Sequence, residues 1–326
     1  MSDASSDWGP GASLATLRTR AALLARTRAF FASRGVLEVD TPALMSCGVT
    51  DPQIHALRAD LPAGAGRQGY LQTSPEYAMK RLLAAGSGDI YQIAHVFRGE
   101  EQGPLHNGEF TLIEWYRLGC SLEALMEEVD TLVRELLGAA AGSATEQVSY
   151  AELFKRTLGL DPLQDSDASL RGAVAALGFD ARLSQRLDRD GLLDLLLGTR
   201  LGPGLGQHGP CFVHRYPASQ ASLARLDPHD ARVALRFELY RGGIELANGF
   251  EELASAAQQR ARFAEDQRLR LERGLPVPAI DERLLAALGA GLPPCAGVAL
   301  GFDRLVMLAT GARHISEALP FAMDRV

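Results

Sequence analysis

The first clear pattern along the chain is helical. Apolar residues recur at intervals of three and four positions from Leu14 to Phe31, as on one face of an amphipathic helix. Ser13 precedes this run, and its hydroxyl can accept from the free backbone N–H groups of a first turn, whereas Gly35 follows the run. We therefore predict a helix that begins after Ser13 and ends before Gly35.

Alternation of apolar and polar residues replaces the helical period over residues 88–97 and again over 110–117. Stretches of period two predict strands, and the short polar connection between these two predicts an antiparallel pair. A shorter strand is predicted over 36–42, closed by Pro42, which cannot donate to a ladder and belongs at an edge or interface. Further strands are predicted over 210–216, 234–240 and 243–247.

The middle of the chain is predicted to be largely helical. Ser149 and Glu152 have the spacing of a capping box at the start of a helix. The glycine-interrupted helical pattern over about 140–206 is interpreted as an insertion into a single catalytic domain that spans 13–326. Residues 1–12 are mostly small and polar and are predicted to form a disordered tail.

Composition narrows the class of protein. The chain has 326 residues, of which 47% are hydrophobic and 22% charged, as in ordinary globular proteins. Its four cysteines have neither a disulfide-scaffold nor a zinc spacing, and it contains no run of roughly 18 apolar residues, so a reducing, cytoplasmic location without a membrane span is expected. The net charge of −7 argues against wrapping a nucleic acid.

Two segments carry residue types suited to a nucleotide. Between Arg98 and Phe110 the chain places a guanidinium, carboxylates and an aromatic ring on the two arms of the predicted hairpin, which suits a phosphate, a base amine and a base face. Residues 297–308 form an apolar, glycine-containing strand that leads into a helix with Arg304 in its first turn. A helix N-terminus beside an arginine favours an anion such as phosphate.

These segments resemble the three motifs of class II aminoacyl-tRNA synthetases, in the same order: residues 35–42 the first, 97–116 the second and 297–308 the third. Residues 73–76 and 243–250 resemble the lysyl-tRNA synthetases in particular. The resemblance implies an α+β class II catalytic core with an antiparallel β-sheet flanked by helices. It also implies a homodimer in which the first motif forms the two-fold interface.

The anticodon-binding OB domain of lysyl-tRNA synthetases has no counterpart in this sequence, because only about a dozen residues precede the first-motif helix. The resemblance is therefore to the free-standing paralogues that activate (R)-β-lysine with ATP and transfer it to a lysine of elongation factor P, with tRNA not expected as a partner. Two alternatives stay open. One is a truncated enzyme that still charges tRNA, and the other is a catalytically inactive paralogue that serves as a binding or regulatory subunit.

The resemblance also implies roles for individual residues in ATP binding. Arg98 would hold the α-phosphate and the substrate carboxylate, Glu100 would accept from the adenine amine, and Phe110 would stack on the base. Asn107 would hydrogen-bond near the nucleotide, and Arg304 would clamp the far end of the triphosphate. The ATP set is Arg98, Gly99, Glu100, Asn107, Phe110, Glu245, Leu246, Gly301 and Arg304, with Arg98 and Arg304 as the catalytic residues.

A diamino acid needs carboxylates or phenol oxygens around its ammonium groups, for which Glu76 and Tyr116 are the first candidates. The set implied for this substrate is Ser74, Pro75, Glu76, Tyr116, Asn248, Glu252 and Ala299. Glu245 and Glu252 would hold Mg²⁺ on the phosphates, since hard cations prefer oxygen ligands, although Glu252 is also a candidate for facing the substrate ammonium.

Three positions depart from the family pattern. Gly99 and Gly108 stand where the second motif has Asn and Pro, which predicts a looser loop because glycine loses more entropy on ordering. Ala299 stands where lysyl-tRNA synthetases tend to have glycine, and we expect its methyl group to disfavour α-lysine. His106 is expected to fix the loop by hydrogen bonding rather than to act as a base.

Overall fold

The computed structural model describes residues 8–60 and 68–326. The helices are α1 (Leu14–Ala32), α2 (Glu76–Ala84), α3 (Leu122–Leu137), α4 (Tyr150–Leu158), α5 (Asp167–Ala176), α6 (Ala181–Arg186), α7 (Arg189–Leu196), α8 (Ala256–Glu272), α9 (Glu282–Gly291) and α10 (Phe302–Thr310). The strands are β1 (Leu37–Glu38), β2 (Leu44–Met45), β3 (Arg58–Asp60), β4 (Gln68–Leu71), β5 (Ile90–Phe97), β6 (Glu109–Leu118), β7 (Glu146–Ser149), β8 (Cys211–His214), β9 (Arg236–Arg241), β10 (Ile244–Glu251) and β11 (Cys295–Gly301).

The chain divides into two compact units. The first comprises the described residues of Met1–Cys120, Thr131–Ala140 and Leu253–Val326, and the second comprises Ser121–Asp130 and Ala141–Glu252. The predicted α+β class is confirmed, because both units combine helices with mainly antiparallel strands.

In the first unit four strands lie in the order β1-β5-β6-β11, beside a small sheet of order β2-β4-β3. β5 and β6 pair antiparallel from Ile90 opposite Tyr116 to Phe97 opposite Glu109, which confirms the predicted hairpin. β1 pairs parallel with β5 and is shorter than the strand predicted over 36–42, because only Leu37 and Glu38 keep the ladder register.

Helix α1 begins as predicted, since the Ser13 hydroxyl accepts from the N–H of Thr16. It packs on the first unit through Phe31, whose ring stacks on Tyr91 at 4.3 Å between centroids and meets Trp115 edge-on. All three rings are buried. Burying aromatic surface of this size is a major source of core stability, so the α1 helix is fixed on the β5–β6 pair.

In the second unit four strands lie in the order β10-β9-β8-β7, and helices α4 to α7 stand between β7 and β8 along the chain. The Ser149 hydroxyl accepts from the N–H of Glu152, which confirms the predicted cap of α4. The core of this unit is formed around Tyr150, with Phe154 stacked at 4.7 Å and Tyr216 at 4.8 Å between ring centroids.

The predicted disordered tail over 1–12 is wrong at its end. The backbone N–H groups of Gly11 and Ala12 donate to Pro320 and Leu319, and Ala12 is buried, so this stretch is anchored on the C-terminal segment. Residues 1–7 lie outside the described residues. The helices predicted over about 140–206 fall inside a compact unit that extends to Glu252, and their description as an insertion stays a prediction.

Among residues 8–60 and 68–326 no helix is long and apolar enough to cross a bilayer. All four cysteines are free thiols. Burial raises the pKa of the Cys211 thiol to about 11, so this cysteine behaves as a small apolar core residue.

Candidate active site

The loop between β5 and β6 brings Arg98 and Phe110 together. The hairpin is closed by the N–H of Arg98, which donates to the carbonyl of Gly108 at 2.9 Å. The Arg98 guanidinium carbon lies 5.1 Å from the centroid of the Phe110 ring, and its Nε donates to the carbonyl of Thr73 at 3.3 Å. A cation beside a half-buried aromatic face is the pair that a nucleotide's phosphate and base need at neighbouring positions.

Glu100 projects from this loop with an unusual backbone. Its φ is 64°, in the left-handed region that costs a non-glycine residue of order 1–3 kcal/mol and persists only where the surroundings enforce it. Its side chain is 78% exposed, and Oε2 lies 3.7 Å from Nε2 of His55. The carboxylate is thus held out toward solvent, where a base amine could donate to it.

Asn107, His106 and Arg304 hold the far arm of the loop. The Asn107 amide donates to the carbonyl of Glu109 at 2.6 Å and accepts from the N–H of Met323 at 3.0 Å. Arg304 contacts Nε2 of His106 at 2.8 Å and donates to the carbonyl of Leu105 at 3.2 Å. The roles of Asn107 and Arg304 on ATP stay predictions, since these hydrogen bonds join both side chains to the protein itself.

His106 makes the contact expected of a residue that fixes the loop. Burial, followed by the positive charge of Arg304, lowers the pKa of the imidazole below its usual value. The ring is therefore neutral near pH 7, and its Nε2 accepts from the Arg304 guanidinium.

The backbones of Gly99 and Gly108 are both hydrogen-bonded, and the looser loop predicted from sequence stays a prediction. The N–H of Gly99 donates to the carbonyl of His55 at 2.7 Å, and the carbonyl of Gly108 accepts the bond that closes the hairpin. Neither glycine has a positive φ. A β-carbon on Gly99 would lie 3.3 Å from a Leu57 methyl carbon and 3.4 Å from the His55 carbonyl oxygen, so the neighbouring segment occupies the space of a side chain.

Two of the residues predicted for the amino-acid substrate in the first unit, Ser74 and Tyr116, meet at one carboxylate. The hydroxyl of Ser74 donates to Oε2 of Glu114 at 2.6 Å, and the phenol of Tyr116 donates to Oε1 at 2.8 Å. The ammonium group of the buried Lys80 donates to Oε1 of Glu76, at the start of α2, at 2.7 Å. Pro75 occupies the position before this helix and makes no side-chain capping hydrogen bond.

Sequence reasoning missed Glu114, which lies at the centre of this group and is 1% exposed. Burial, followed by the nearby negative charge of Glu76, raises its pKa from 4.5 to about 7. A signal was present in the strand pattern, because Glu114 follows Phe110 and precedes Tyr116 at even spacing and so shares their face of β6. Perturbed acids of this kind cluster at functional sites.

The substrate position Ala299 is the cross-strand neighbour of Glu114. In the β11–β6 pair Ala299 lies opposite Glu114, and in the β5–β6 pair Gln92 lies opposite it on the other side. Directly opposite residues have side chains on one face about 5 Å apart. The Ala299 methyl therefore lies beside the pocket carboxylate, and Gly301 ends the same strand at the N-terminus of α10.

The remaining predicted residues, in the second unit, belong to β10 or follow directly after it. Glu245 lies opposite Tyr240 and Asn248 lies opposite Glu238, with a bulge between Glu245 and Ala247. Tyr240 and Glu238 are two positions apart on β9 and therefore share one face of the sheet. Because Glu245 and Asn248 lie opposite them, the bulge places these two residues on one face despite their odd separation. Without this bulge the two side chains would point to opposite faces.

Arg236 orients the amide of Asn248 on that face. Its Nε donates to Oδ1 of Asn248 at 3.1 Å, and a second nitrogen pairs with Glu238 at 2.6 Å. The side chain of Leu246 is buried in the core, so its backbone is the part that could contact ATP. Glu252 follows directly after β10, where it forms a bridge with Ala224.

The donor chemistry fits Mg²⁺ shared with a phosphate ligand. Among the residues that the structure describes, no group of three or more histidine, cysteine, aspartate or glutamate side chains could hold a metal ion. Mg²⁺ is commonly bound by one or two carboxylates together with substrate phosphates and water. Glu245 and Glu252 offer that number of carboxylates, and their assignment to the metal stays a prediction.

Comparison with known proteins identifies the class. The family model of class II tRNA synthetases for aspartate, lysine and asparagine matches residues 10–325. The chain therefore belongs to the class II tRNA synthetase family.

Individual relatives are equally extensive matches. The chain is 50% identical to the elongation factor P–(R)-β-lysine ligase of Vibrio cholerae serotype O1, over 98% of this chain and 99% of that protein. The ligase of the same name from Vibrio vulnificus is 50% identical, over 97% of this chain and 98% of that protein. The one from Erwinia tasmaniensis is 49% identical over the whole of both chains.

Proposed function

We propose that this chain is an ATP-dependent ligase that activates (R)-β-lysine and transfers it to the ε-amine of a lysine of elongation factor P. The observation that carries the proposal is the 50% identity to the Vibrio cholerae ligase over nearly all of both chains. The buried Glu114 beside Ser74 and Tyr116 supports it further, since a diamino acid brings ammonium groups that require such a carboxylate.

In the first step a carboxylate oxygen of (R)-β-lysine attacks the α-phosphorus of ATP. The bond from that phosphorus to the bridging oxygen of the β-phosphate breaks, and pyrophosphate leaves. Arg98 would neutralise charge on the α-phosphate, Phe110 would stack on the base, and Glu100 would accept from its amine. Mg²⁺ held by Glu245 and Glu252 would neutralise the phosphates, because positioning and charge neutralisation dominate this type of chemistry.

In the second step the ε-amine nitrogen of the acceptor lysine attacks the acyl carbon of the adenylate. The bond from that carbon to the phosphate oxygen breaks, AMP leaves, and the amine proton passes to solvent. An amide bond is formed, which classes the reaction as ligation.

One experiment tests the reaction and the acceptor together. Pyrophosphate exchange is measured with (R)-β-lysine and α-lysine, followed by intact-mass analysis of elongation factor P and an assay for charged tRNA in the same mixture. We expect exchange with (R)-β-lysine and a mass increase of the protein. Charged tRNA with an unshifted protein mass would establish the alternative of a truncated synthetase, and absence of exchange with either isomer would establish the inactive paralogue.

The position of Ala299 suggests how the isomers are distinguished. Its methyl group adjoins Glu114 across the β11–β6 pair, so it narrows the pocket beside the carboxylate. A contact of one methyl group is worth about 1–3 kcal/mol of discrimination, or roughly 10–200-fold. We expect Ala299→Gly to raise exchange with α-lysine relative to (R)-β-lysine by at least roughly tenfold, and an unchanged ratio contradicts this role.

We propose further that the enzyme acts in the cytoplasm as a homodimer. Free cysteines and the family's first motif support this assignment. Light scattering of the purified chain tests the dimer, and a mass equal to one chain contradicts it.

A further inference from the structure

The segment that precedes β3 fills the space beside the ATP loop. His55 and Gly99 form an isolated antiparallel bridge, in which the N–H of Gly99 donates to the carbonyl of His55 at 2.7 Å. Leu57 approaches the same glycine from the side. The backbone at position 99 is therefore held from outside the loop, directly between Arg98 and Glu100.

A single buried arginine holds this segment in turn. Arg270, near the end of α8, is 4% exposed. Its guanidinium donates to three carbonyls of the segment, those of Thr50 at 2.7 Å, Asp51 at 2.6 Å and Ile54 at 2.6 Å. It also donates to the carbonyl of Pro276 at 3.0 Å. The planar fork of arginine carries five N–H groups in fixed directions, whereas a lysine ammonium has three donors at one point.

A second contact joins the same helix to the same segment. The hydroxyl of Thr50, which is buried, donates to Oδ2 of Asp266 at 2.7 Å. Asp266 lies one turn before Arg270 on α8. The helix therefore hydrogen-bonds both the backbone carbonyl and the side chain of Thr50, which fixes the path of the chain toward His55.

These contacts lie next to the unusual backbone of Glu100. A non-glycine residue keeps a left-handed backbone only where the surrounding structure holds it there. The hydrogen bond of Gly99 holds the residue immediately before Glu100. Small displacements of a group that positions substrate cost up to about a hundredfold in rate. The position of Arg98 and Glu100 therefore depends on a helix that does not belong to the hairpin.

We infer that Arg270 is a positioning residue for the nucleotide loop, acting through residues 50–55 and the His55–Gly99 bridge. The identity of the nucleotide rests on the proposed function above, but the mechanical link does not. The link occupies the space of the side chain that Gly99 lacks, so a neighbouring segment holds the loop at its glycine.

The first test compares Arg270→Lys with Arg268→Met. Arg268 lies on the same helix, half-exposed, and its ion pairs are to Glu265 and Glu272 rather than to the segment. We expect Arg270→Lys to raise the KM for ATP roughly tenfold and the KM for the amino acid less, because of this loop only Arg98 is assigned to both substrates, while Arg268→Met changes neither. An equal rise of both constants, or a lower kcat with both constants unchanged, indicates general loosening and overturns the inference.

The second test measures the mechanical link directly and does not depend on catalytic activity. Hydrogen exchange of the Gly99 amide is measured in the same variants, with the Gly119 amide, which donates to Pro294 at 2.8 Å, as the internal control. We expect faster exchange at Gly99 alone in Arg270→Lys, and unchanged exchange there overturns the inference. If that variant does not fold, Thr50→Val and Asp266→Asn decide by the same two measurements. If the wild-type protein fails to activate (R)-β-lysine, the proposed function is wrong while the exchange result stands.

Discussion

Two buried glutamates, one in each unit, have nearly the same hydroxyl partners but different electrostatic surroundings. Glu114 accepts from Tyr116 two positions later on β6, at 2.8 Å, and Glu238 accepts from Tyr240 two positions later on β9, at 2.6 Å. Each accepts from a second hydroxyl as well, that of Ser74 or Tyr216. The local sequence therefore builds the same Glu-x-Tyr arrangement twice.

The difference is the balance of charge. Glu238 pairs with the guanidinium of Arg236 at 2.6 Å, whereas Glu114 shares the charge of Lys80 with Glu76, which lies 2.7 Å from that ammonium. A buried carboxylate is costly unless a positive charge compensates it. In the second unit the protein supplies that charge permanently. In the first unit Glu114 keeps a raised pKa of about 7, and a substrate ammonium would supply the second positive charge.

The largest effect is expected from removing the permanent cation. Arg236→Met leaves Glu238 buried without this partner, and we expect the free energy of unfolding to fall by about 3–5 kcal/mol, measured by denaturant titration. Adding Glu238→Gln to this variant removes the uncompensated charge and should restore part of the loss. A fall of less than about 1 kcal/mol, as for an exposed ion pair, contradicts the comparison.

The next effect concerns the carboxylate that shares its cation. We expect Glu114→Gln to raise the KM for the diamino acid at pH 8 roughly 10–100-fold, because the charge opposite the ammonium is lost. Its unfolding free energy should stay equal or rise at that pH, since a buried charge disappears. The matched variant Glu238→Gln should lower stability, because it leaves Arg236 uncompensated. Equal stability changes in the two variants contradict the proposed difference.

The raised pKa of Glu114 predicts a pH dependence of binding. A bound ammonium requires the ionised carboxylate, so we expect the KM for the diamino acid to rise roughly tenfold from pH 8 to pH 6 in wild type, and not in Glu114→Gln. The contribution of Glu114 to the free energy of unfolding changes in the opposite direction, because it becomes larger as the pH falls. The folded carboxyl holds its proton up to about pH 7 instead of 4.5, so its stabilisation is present below pH 4.5 and is lost as pH rises through 7. A flat KM profile in wild type contradicts this assignment.

The smallest effect is a shift of that profile. The hydrogen bond from Tyr116 lowers the pKa of Glu114 against the effect of burial. Tyr116→Phe should therefore raise the pKa further, and we expect the midpoint of the KM profile to move to higher pH. Tyr240→Phe is the matched control, because it removes the equivalent phenol from Glu238, and it should leave the midpoint in place. A shift to lower pH would show that the phenol does not stabilise the ionised form.

Much of the fold could be predicted from sequence because its signals are local. Ser13 and Ser149 cap their helices as predicted, and the alternation before Arg98 and after Phe110 forms the predicted hairpin. The candidate site was only partly accessible by the same means. Ser74 and Tyr116 do meet, but they meet at Glu114, whose burial and pKa depend on strands and a helix that are distant in sequence.

What the sequence by itself determined is therefore the first helix, the β5–β6 hairpin, the family and most of the chemically active residue types. Three further features were decided only by the tertiary structure. The bulge in β10 sets which side chains share a face with Glu245. The α8 helix sets the position of Gly99 through residues 50–55. The ion pair with Arg236 gives Glu238 a compensating charge that Glu114 does not have to itself. Each depends on contacts between residues far apart in the chain or on a register shift, and neither hydrophobic period nor motif spacing encodes them.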